Sequence, residues 1–150
     1  MLTGEIDILP SLFGSVAIPN AVQAEMLHSE APRVVRSWAE APPPWLTIAP
    51  ARIEGDAENP RRGAGERAVI ALALATGAEL ILMDDRAGIA AALAKRLAVI
   101  GTLGVLDRAA RRGMINLETA FTRLRATNFR YPPALLEALL AEDRQRRGET

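Results

Sequence analysis

Two adjacent aspartates, Asp84 and Asp85, directly follow the apolar run of residues 80–83. A continuous apolar run bounded by polar residues indicates a short strand that is covered on both faces, as in parallel sheets. Acidic side chains at the carboxyl end of such a strand lie where open α/β sheets bind their ligands. Two neighbouring carboxylates also repel each other and so favour a bound cation. Asp85 has an ordinary alternative, since it could cap a helix that starts at Arg86.

Two glutamates are further candidates for the same site. Glu66 lies in the first turn of a helix expected over residues 65–76, and Glu25 lies in a helix expected over residues 21–28. Mg²⁺ and Mn²⁺ prefer oxygen ligands and retain water, and a bound metal can activate that water for attack on phosphorus. Each glutamate also has a structural alternative. Glu66 can stabilise its own helix through the helix dipole, and Glu25 can simply face solvent.

The composition excludes most other catalytic chemistries. The absence of cysteine excludes a disulfide framework, a thiolate metal site and a cysteine nucleophile. The single histidine, His28, leaves almost no room for a zinc site or a Ser–His–Asp triad, and we expect it at the surface or at a helix end. An enzyme with this sequence would therefore depend on carboxylates.

The length and the apolar content predict one ordered domain. Hydrophobic residues make up 49% of the 150 residues, which is enough for a substantial core. The sequence contains neither an apolar run long enough to span a membrane nor a basic segment followed by an apolar one. We therefore expect a cytoplasmic protein without a membrane partner.

Alternating helices and strands are expected to position the acids. A helix over residues 65–76 should end at Gly77, and a strand should follow over residues 80–83. A second helix over residues 86–97 and a second strand over residues 98–100 complete the pattern. This order is typical of an α/β fold with a parallel sheet.

The remaining elements lie on either side of this stretch. Before it we expect a helical turn ending at Gly14, a strand over residues 16–18, helices over residues 21–28 and 33–40, a strand over residues 45–48 and a polar loop over residues 51–63. After it we expect helices over residues 105–112, 117–126 and 134–146. Asn20 and Asn116 are predicted to cap the helices that follow them.

Four segments, taken in order, resemble a PIN-domain protein. They are V-A-I-P-N-A-V-Q-A-E-M (residues 16–26), G-E-R-A-V-I-A-L-A (65–73), L-I-L-M-D-D-R (80–86) and V-I-G-T-L-G-V-L (99–106). The resemblance is closest to the VapC-like branch of prokaryotic toxin ribonucleases, which carries a Gly-Thr-Leu-Gly-Val-Leu element. It implies a three-layer α/β fold, with a parallel sheet flanked by helices, and a single domain over residues 1–150.

The resemblance also implies a function and a set of site residues. Ribonucleases of this kind pair with an antitoxin protein and cleave RNA at a Mg²⁺ or Mn²⁺ site built from carboxylates. Glu25 matches the second acid of the family pattern, Glu66 the third, and Asp84 or Asp85 the fourth, of which we favour Asp84. The pattern begins with a strand that carries the first Asp, and this sequence begins just after it, so we expect an N-terminally incomplete domain.

Two alternatives to an active toxin nuclease are open at this point. One is a non-catalytic relic that binds RNA or an antitoxin without cutting, because the first acid of the family pattern is missing. The other is a small-molecule phosphohydrolase on a similar sheet. A sheet that lacks a central strand would expose unpaired edges, which favours pairing with a second copy of the chain and predicts a homodimer.

The charge distribution is uneven although the net charge is zero. Residues 1–60 contain 8 acidic and 3 basic residues, whereas residues 61–150 contain 10 acidic and 15 basic residues, nearly all of them arginines. Arginine suits bidentate phosphate contacts, so the C-terminal part is expected to bind RNA. The alternative is that an arginine-rich, lysine-poor sequence reflects genome composition.

Overall fold

Helices dominate the described part of the chain, which comprises residues 6–50 and 64–148 of this computed structural model. The helices are α1 (Ile8–Phe13), α2 (Asn20–Leu27), α3 (Arg33–Glu40), α4 (Ala64–Thr76), α5 (Arg86–Ala94), α6 (Thr102–Arg111), α7 (Leu117–Arg125) and α8 (Pro133–Arg146). The strands are β1 (Val16–Pro19), β2 (Leu46–Ala49), β3 (Ile81–Leu82) and β4 (Val99–Ile100). None of the described helices is long and apolar enough to cross a membrane.

The chain divides into two compact units. The larger unit is Phe13–Gly101, and the smaller unit consists of Met1–Leu12 and Thr102–Thr150. The four described strands belong to the larger unit, whereas the described residues of the smaller unit are helical or irregular. The prediction that residues 1–150 form a single, N-terminally incomplete domain stays a prediction.

The strands of the larger unit pair in parallel, as their apolar sequences predict. In the first pair, Val16 of β1 lies opposite Leu46 of β2. In the second pair, Ile81 of β3 lies opposite Val99 of β4. Helices connect the strands of each pair, because parallel neighbours require a crossover. Within the described residues these are two separate two-stranded sheets, so the α/β class is confirmed and the three-layer arrangement around one sheet stays a prediction.

The core of the larger unit forms around α4. Ile70 and Ala73 of this helix pack with Ile81 and Met83 on the β3 segment and with Ala92 of α5. The same helix also contacts α2 and β1. Because α4 is packed against all the elements that carry candidate acids, its first turn is held in a fixed position among them.

The smaller unit has a helical core of its own. Its buried side chains are Leu103 and Leu106 of α6, Leu117, Ala120, Phe121 and Leu124 of α7, and Leu136 and Leu140 of α8. Phe121, Leu117 and Leu136 are almost completely buried. One face of α7 and one face of α8 are therefore apolar and buried, whereas Leu135 of α8 is 46% exposed.

Several helix ends follow from residues visible in the sequence. Gly77 and Gly113 come shortly after α4 and α6 with φ of 66° and 72°, the left-handed conformation that glycine adopts without strain. Asn116 caps α7, since its side chain accepts a hydrogen bond from the Thr119 backbone N–H at 2.9 Å. These predictions are confirmed.

Other predicted boundaries are wrong. Asn20 is the first residue of α2 rather than its cap, and Pro19 occupies the cap position without a side-chain hydrogen bond. α5 ends at Ala94, three residues earlier than predicted, and α6 begins at Thr102, three residues earlier than predicted. The polar loop predicted over residues 51–63 lies outside the described residues.

Candidate active site

The four acids predicted from the sequence all belong to the larger unit. Glu25 lies in α2, Glu66 lies in the first turn of α4, and Asp84 and Asp85 lie between β3 and α5. Glu66 is half-buried, whereas the other three residues are exposed. Each of them also lies against a glycine of a neighbouring turn or element, and these contacts locate the side chains.

Asp84 reaches from the end of β3 to the end of β4. Its Oδ1 atom lies 2.8 Å from the position that a Cβ atom on Gly101 would occupy. Gly101 directly follows β4, and parallel strands have their carboxyl ends at the same edge of a sheet. The Asp84 carboxylate therefore lies at the sheet edge where the sequence predicts a ligand site.

Asp85 caps α5. Its Oδ2 atom accepts a hydrogen bond of 2.7 Å from the Gly88 backbone N–H, and its own backbone is extended, as is usual for a cap residue. The structure thus gives Asp85 the ordinary role that the sequence left open for it. Asp84, its neighbour, instead lies with its carboxylate against Gly101 at the end of β4.

Glu66 lies against the first turn of α5. Its Cγ and Cβ atoms are 3.0 and 3.2 Å from the position of a Cβ atom on Gly88. Gly88 is also the residue whose backbone N–H is capped by Asp85. Glu66 and Asp85 therefore converge on one turn of α5, although 19 positions of sequence separate them.

Glu25 lies across the first turn of α4. Its two carboxylate oxygens are 2.7 and 2.9 Å from the position of a Cβ atom on Gly65, which immediately precedes Glu66. The N-terminal end of a helix carries partial positive charge, so a carboxylate is electrostatically favourable at this place. The structure therefore brings Glu25 to the part of α4 that carries Glu66.

The oxygen-only donor set suits a hard divalent cation that keeps part of its water shell. Within residues 6–50 and 64–148, no three or more Asp, Glu, His or Cys side chains are close enough to enclose a metal ion. Mg²⁺ is commonly held by only one or two carboxylates together with waters and substrate phosphates. The candidate acids offer oxygen atoms and neither nitrogen nor sulfur, so the residues present fit such an ion better than zinc.

The family model DUF3368, described as a PIN domain, matches residues 1–145 of the chain. The chain belongs to the PIN-domain family. PIN domains have an α/β fold, are generally nucleases and typically use divalent metal ions, which agrees with parallel strands and a carboxylate-rich edge. Neither a curated protein nor a solved structure matches the chain significantly.

Three glycines of the PIN domain contact the candidate acids, and their role was not recognised from the sequence. Gly65 and Gly88 lie in the first turns of α4 and α5, and Gly101 follows β4. Glycine in a helix is less favourable than alanine by about 1 kcal/mol, so a glycine in a helix indicates that a neighbouring group needs the space of its side chain. That signal was available from the sequence, but it does not reveal which side chain fills the space.

The arginines of the smaller unit of the PIN domain are largely engaged with acids. The ion pairs are Arg111 with Asp107 and Glu142, Arg125 with Glu137, Arg144 with Glu118, and Arg146 and Arg147 with Asp143. The hydrogen bond and the charge of Asp107 raise the pKa of Arg111, which is charged at all ordinary pH values in any case. These ion pairs stabilise the helical unit. Because the paired arginines already neutralise acids, the number of arginines is weaker evidence for RNA binding.

His28 of the PIN domain is an exposed residue at the end of α2. Its Nδ1 atom accepts a hydrogen bond from the Glu30 backbone N–H at 3.2 Å. The predicted surface or helix-end position is confirmed.

Proposed function

We propose that this PIN domain is a metal-dependent endoribonuclease of the toxin–antitoxin type. It would hydrolyse RNA phosphodiester bonds with a Mg²⁺ or Mn²⁺ ion bound by carboxylates. One observation carries the proposal: acids from α2, α4 and the end of β3 each lie against a glycine of a neighbouring element of the larger unit. The matching family, whose members are generally nucleases, supports the same conclusion.

The proposed ligands come from Asp84, Glu66 and Glu25, of which one or two at a time would bind the ion together with water and substrate phosphate. When bound, the metal would supply a Lewis acid and a water of lowered pKa for attack on phosphorus. Asp84 presents its carboxylate at the sheet edge, and the two glutamates approach through the first turn of α4. Asp85 holds the start of α5 in place and leaves one carboxylate oxygen for the ion or its water.

Among the arginines that the structure describes, Arg86 is well placed to contact the substrate phosphate. It is exposed and is the first residue of α5, directly after the aspartate pair. A guanidinium group there would place positive charge beside the phosphate that the metal binds, and would hold it through paired hydrogen bonds. An antitoxin protein and a second copy of the chain are the proposed macromolecular partners.

The second candidate function is binding of RNA or of an antitoxin without cleavage. The observation that favours it is the lack, within the described ranges, of three acids close enough to enclose a metal ion. If substrate phosphate does not complete the metal site, the domain would bind its partner and not cut.

Cleavage of single-stranded RNA in the presence and absence of Mn²⁺ separates the two functions. We expect cleavage to depend on Mn²⁺ and to fall at least about a hundredfold in Asp84→Asn or Glu66→Gln, because cleavage depends on the metal. The RNA affinity of both variants should stay within a few-fold of that of the unsubstituted chain, because binding depends on phosphate contacts. Glu79→Gln, at an exposed acid between α4 and β3, is the matched control and should leave cleavage unchanged. RNA binding without any metal-dependent cleavage would support the non-catalytic function.

A further inference from the structure

Three glycines of the larger unit are not explained by backbone conformation. Gly14 and Gly77 have positive φ and open space where a Cβ atom would be, so the turn alone accounts for glycine at those positions. Gly65, Gly88 and Gly101 are absent from the described residues with positive φ, yet each has side-chain atoms where its Cβ atom would be. Glycine also weakens a helix relative to alanine, so the helical positions of Gly65 and Gly88 are unfavourable unless the space itself is needed.

At Gly65 the space holds a carboxylate. A Cβ atom there would lie 2.7 and 2.9 Å from the two oxygens of Glu25 and 3.0 Å from its Cδ atom. Favourable contacts of a carbon atom begin at about 3.5 Å, so an alanine would displace the whole carboxylate. Because Glu25 comes from a different helix, Gly65 decides how closely that helix can bring its charge to the start of α4.

At Gly101 the space also holds a carboxylate, and the side chain is shorter. A Cβ atom there would lie 2.8 Å from Oδ1 of Asp84, whereas the next atom, the Met83 carbonyl oxygen, is 3.6 Å away. Only the carboxylate is therefore in conflict with an added methyl group. The aspartate can avoid that group by rotating its carboxylate or its whole side chain, and either movement takes Oδ1 out of its present position at the end of β4.

Gly88 differs, because the space beside it is occupied by a core side chain as well as by an acid. A Cβ atom there would lie 2.5 Å from the Met83 sulfur as well as 3.0 Å from Cγ of Glu66. Met83 is a buried core residue, so a substitution at Gly88 would disturb the core along with the acid. Gly88 is therefore a poor place to test the positioning of a carboxylate.

We propose that Gly65 and Gly101 are positioning residues of the metal site, each leaving the volume in which one ligand carboxylate lies. Gly65 serves Glu25, and Gly101 serves Asp84. The assignment rests on the proposed function in so far as these carboxylates bind the metal. The steric part of it depends only on the contacts of the two glycines.

Double-mutant cycles on the full chain test the steric part by thermal unfolding in EDTA. The cycles combine Gly65→Ala with Glu25→Ala and Gly101→Ala with Asp84→Ala. We expect each glycine substitution to be better tolerated when the carboxylate facing it has been removed, by a small margin in Tm, because the ends of these exposed side chains can move aside at low cost. In a third cycle, Glu25→Gln keeps the volume without the charge and should retain the full penalty of Gly65→Ala.

The mismatched pairs, Gly65→Ala with Asp84→Ala and Gly101→Ala with Glu25→Ala, are the controls and should be additive. Additivity in the matched pairs as well would overturn the proposal, whether or not the protein binds metal.

Mn²⁺ titration of the folded single variants tests the positioning part. We expect Gly65→Ala and Gly101→Ala to weaken Mn²⁺ binding at least tenfold relative to the unsubstituted chain, while Glu79→Gln does not. Unchanged affinity in both glycine variants would refute their positioning role. A folded, unsubstituted chain that binds no Mn²⁺ would instead refute the proposed function, and the metal role of the two glycines with it.

Discussion

At the scale of single residues, the adjacent aspartates have different surroundings. Asp85 is tied to the backbone of α5, whereas Asp84 points its carboxylate at the end of β4. Both follow the same strand, so sequence spacing cannot distinguish them. The start of α5 distinguishes them, because only the residue before the first turn can accept its free N–H groups. Metal binding and helix capping are therefore separable by substitution.

Substitutions at the two aspartates should show this separation. Asp85→Ala is expected to lower the free energy of unfolding by about 1 kcal/mol, and Asp85→Asn should restore most of it, because asparagine also caps helices. Asp84→Asn is expected to reduce strongly the rise in Tm that Mn²⁺ causes relative to the same variant in EDTA, since an ion that binds only the folded state stabilises it. Denaturation with and without Mn²⁺ measures both effects. Equal loss of the Mn²⁺ effect in Asp84→Asn and Asp85→Asn would mean that both carboxylates bind the ion.

At the scale of the elements, local signals in the sequence were sufficient at several boundaries marked by proline, glycine or asparagine, but not at Asn20. α3 has the predicted bounds because Pro32 precedes it and prolines 42–44 follow it. Asn20 was misassigned because the strand β1 runs directly into α2 and leaves Pro19 at the cap position. The contacts of Gly65, Gly88 and Gly101 were not predictable, since they depend on which distant side chain arrives at each glycine.

The end of α5 departs from local preference. Arg96 has a φ of 60°, and the backbone N–H groups of Arg96 and Leu97 donate to the Leu93 and Ala92 carbonyls, as in a Schellman motif. This left-handed position is normally filled by glycine because a side chain there is strained. The sequence offers no glycine at this point, which explains why the predicted helix extended to residue 97.

Glycine at position 96 should therefore stabilise the protein. We expect Arg96→Gly to raise the free energy of unfolding by about 1 kcal/mol, the usual strain of a left-handed non-glycine residue. The neighbouring Lys95→Gly is the control, since Lys95 has a φ of −94° and should gain nothing. Urea denaturation of the three proteins measures the difference. A stability of Arg96→Gly at or below that of Lys95→Gly would contradict this account of the helix end.

At the scale of the whole molecule, the number of arginines overstates the positive charge that is available to bind RNA phosphates. The chain has as many acids as bases, and ion pairs among the described residues of the smaller unit occupy at least five of its arginines. The pairs with the buried Asp107 and Asp143 stabilise the helical unit, whereas the exposed pairs contribute little to stability. All of them reduce the positive potential that a phosphate backbone meets. The family match and the acids therefore support the nuclease proposal more strongly than the basic half of the sequence does.

RNA binding should consequently be weak, depend strongly on salt and rely on unequal contributions from individual arginines. Arg86→Ala is expected to weaken binding of single-stranded RNA and to reduce the slope of log K against log salt by about 0.7, the value for one lost phosphate contact. Arg144→Ala is the control, because Arg144 pairs with Glu118 at 3.3 Å in the smaller unit, and it should leave the slope unchanged. Fluorescence anisotropy over a series of salt concentrations in EDTA, which prevents cleavage, gives both slopes. If the two substitutions reduce the slope equally, RNA contacts are spread over the basic surface, and the assignment of phosphate binding to the start of α5 is wrong.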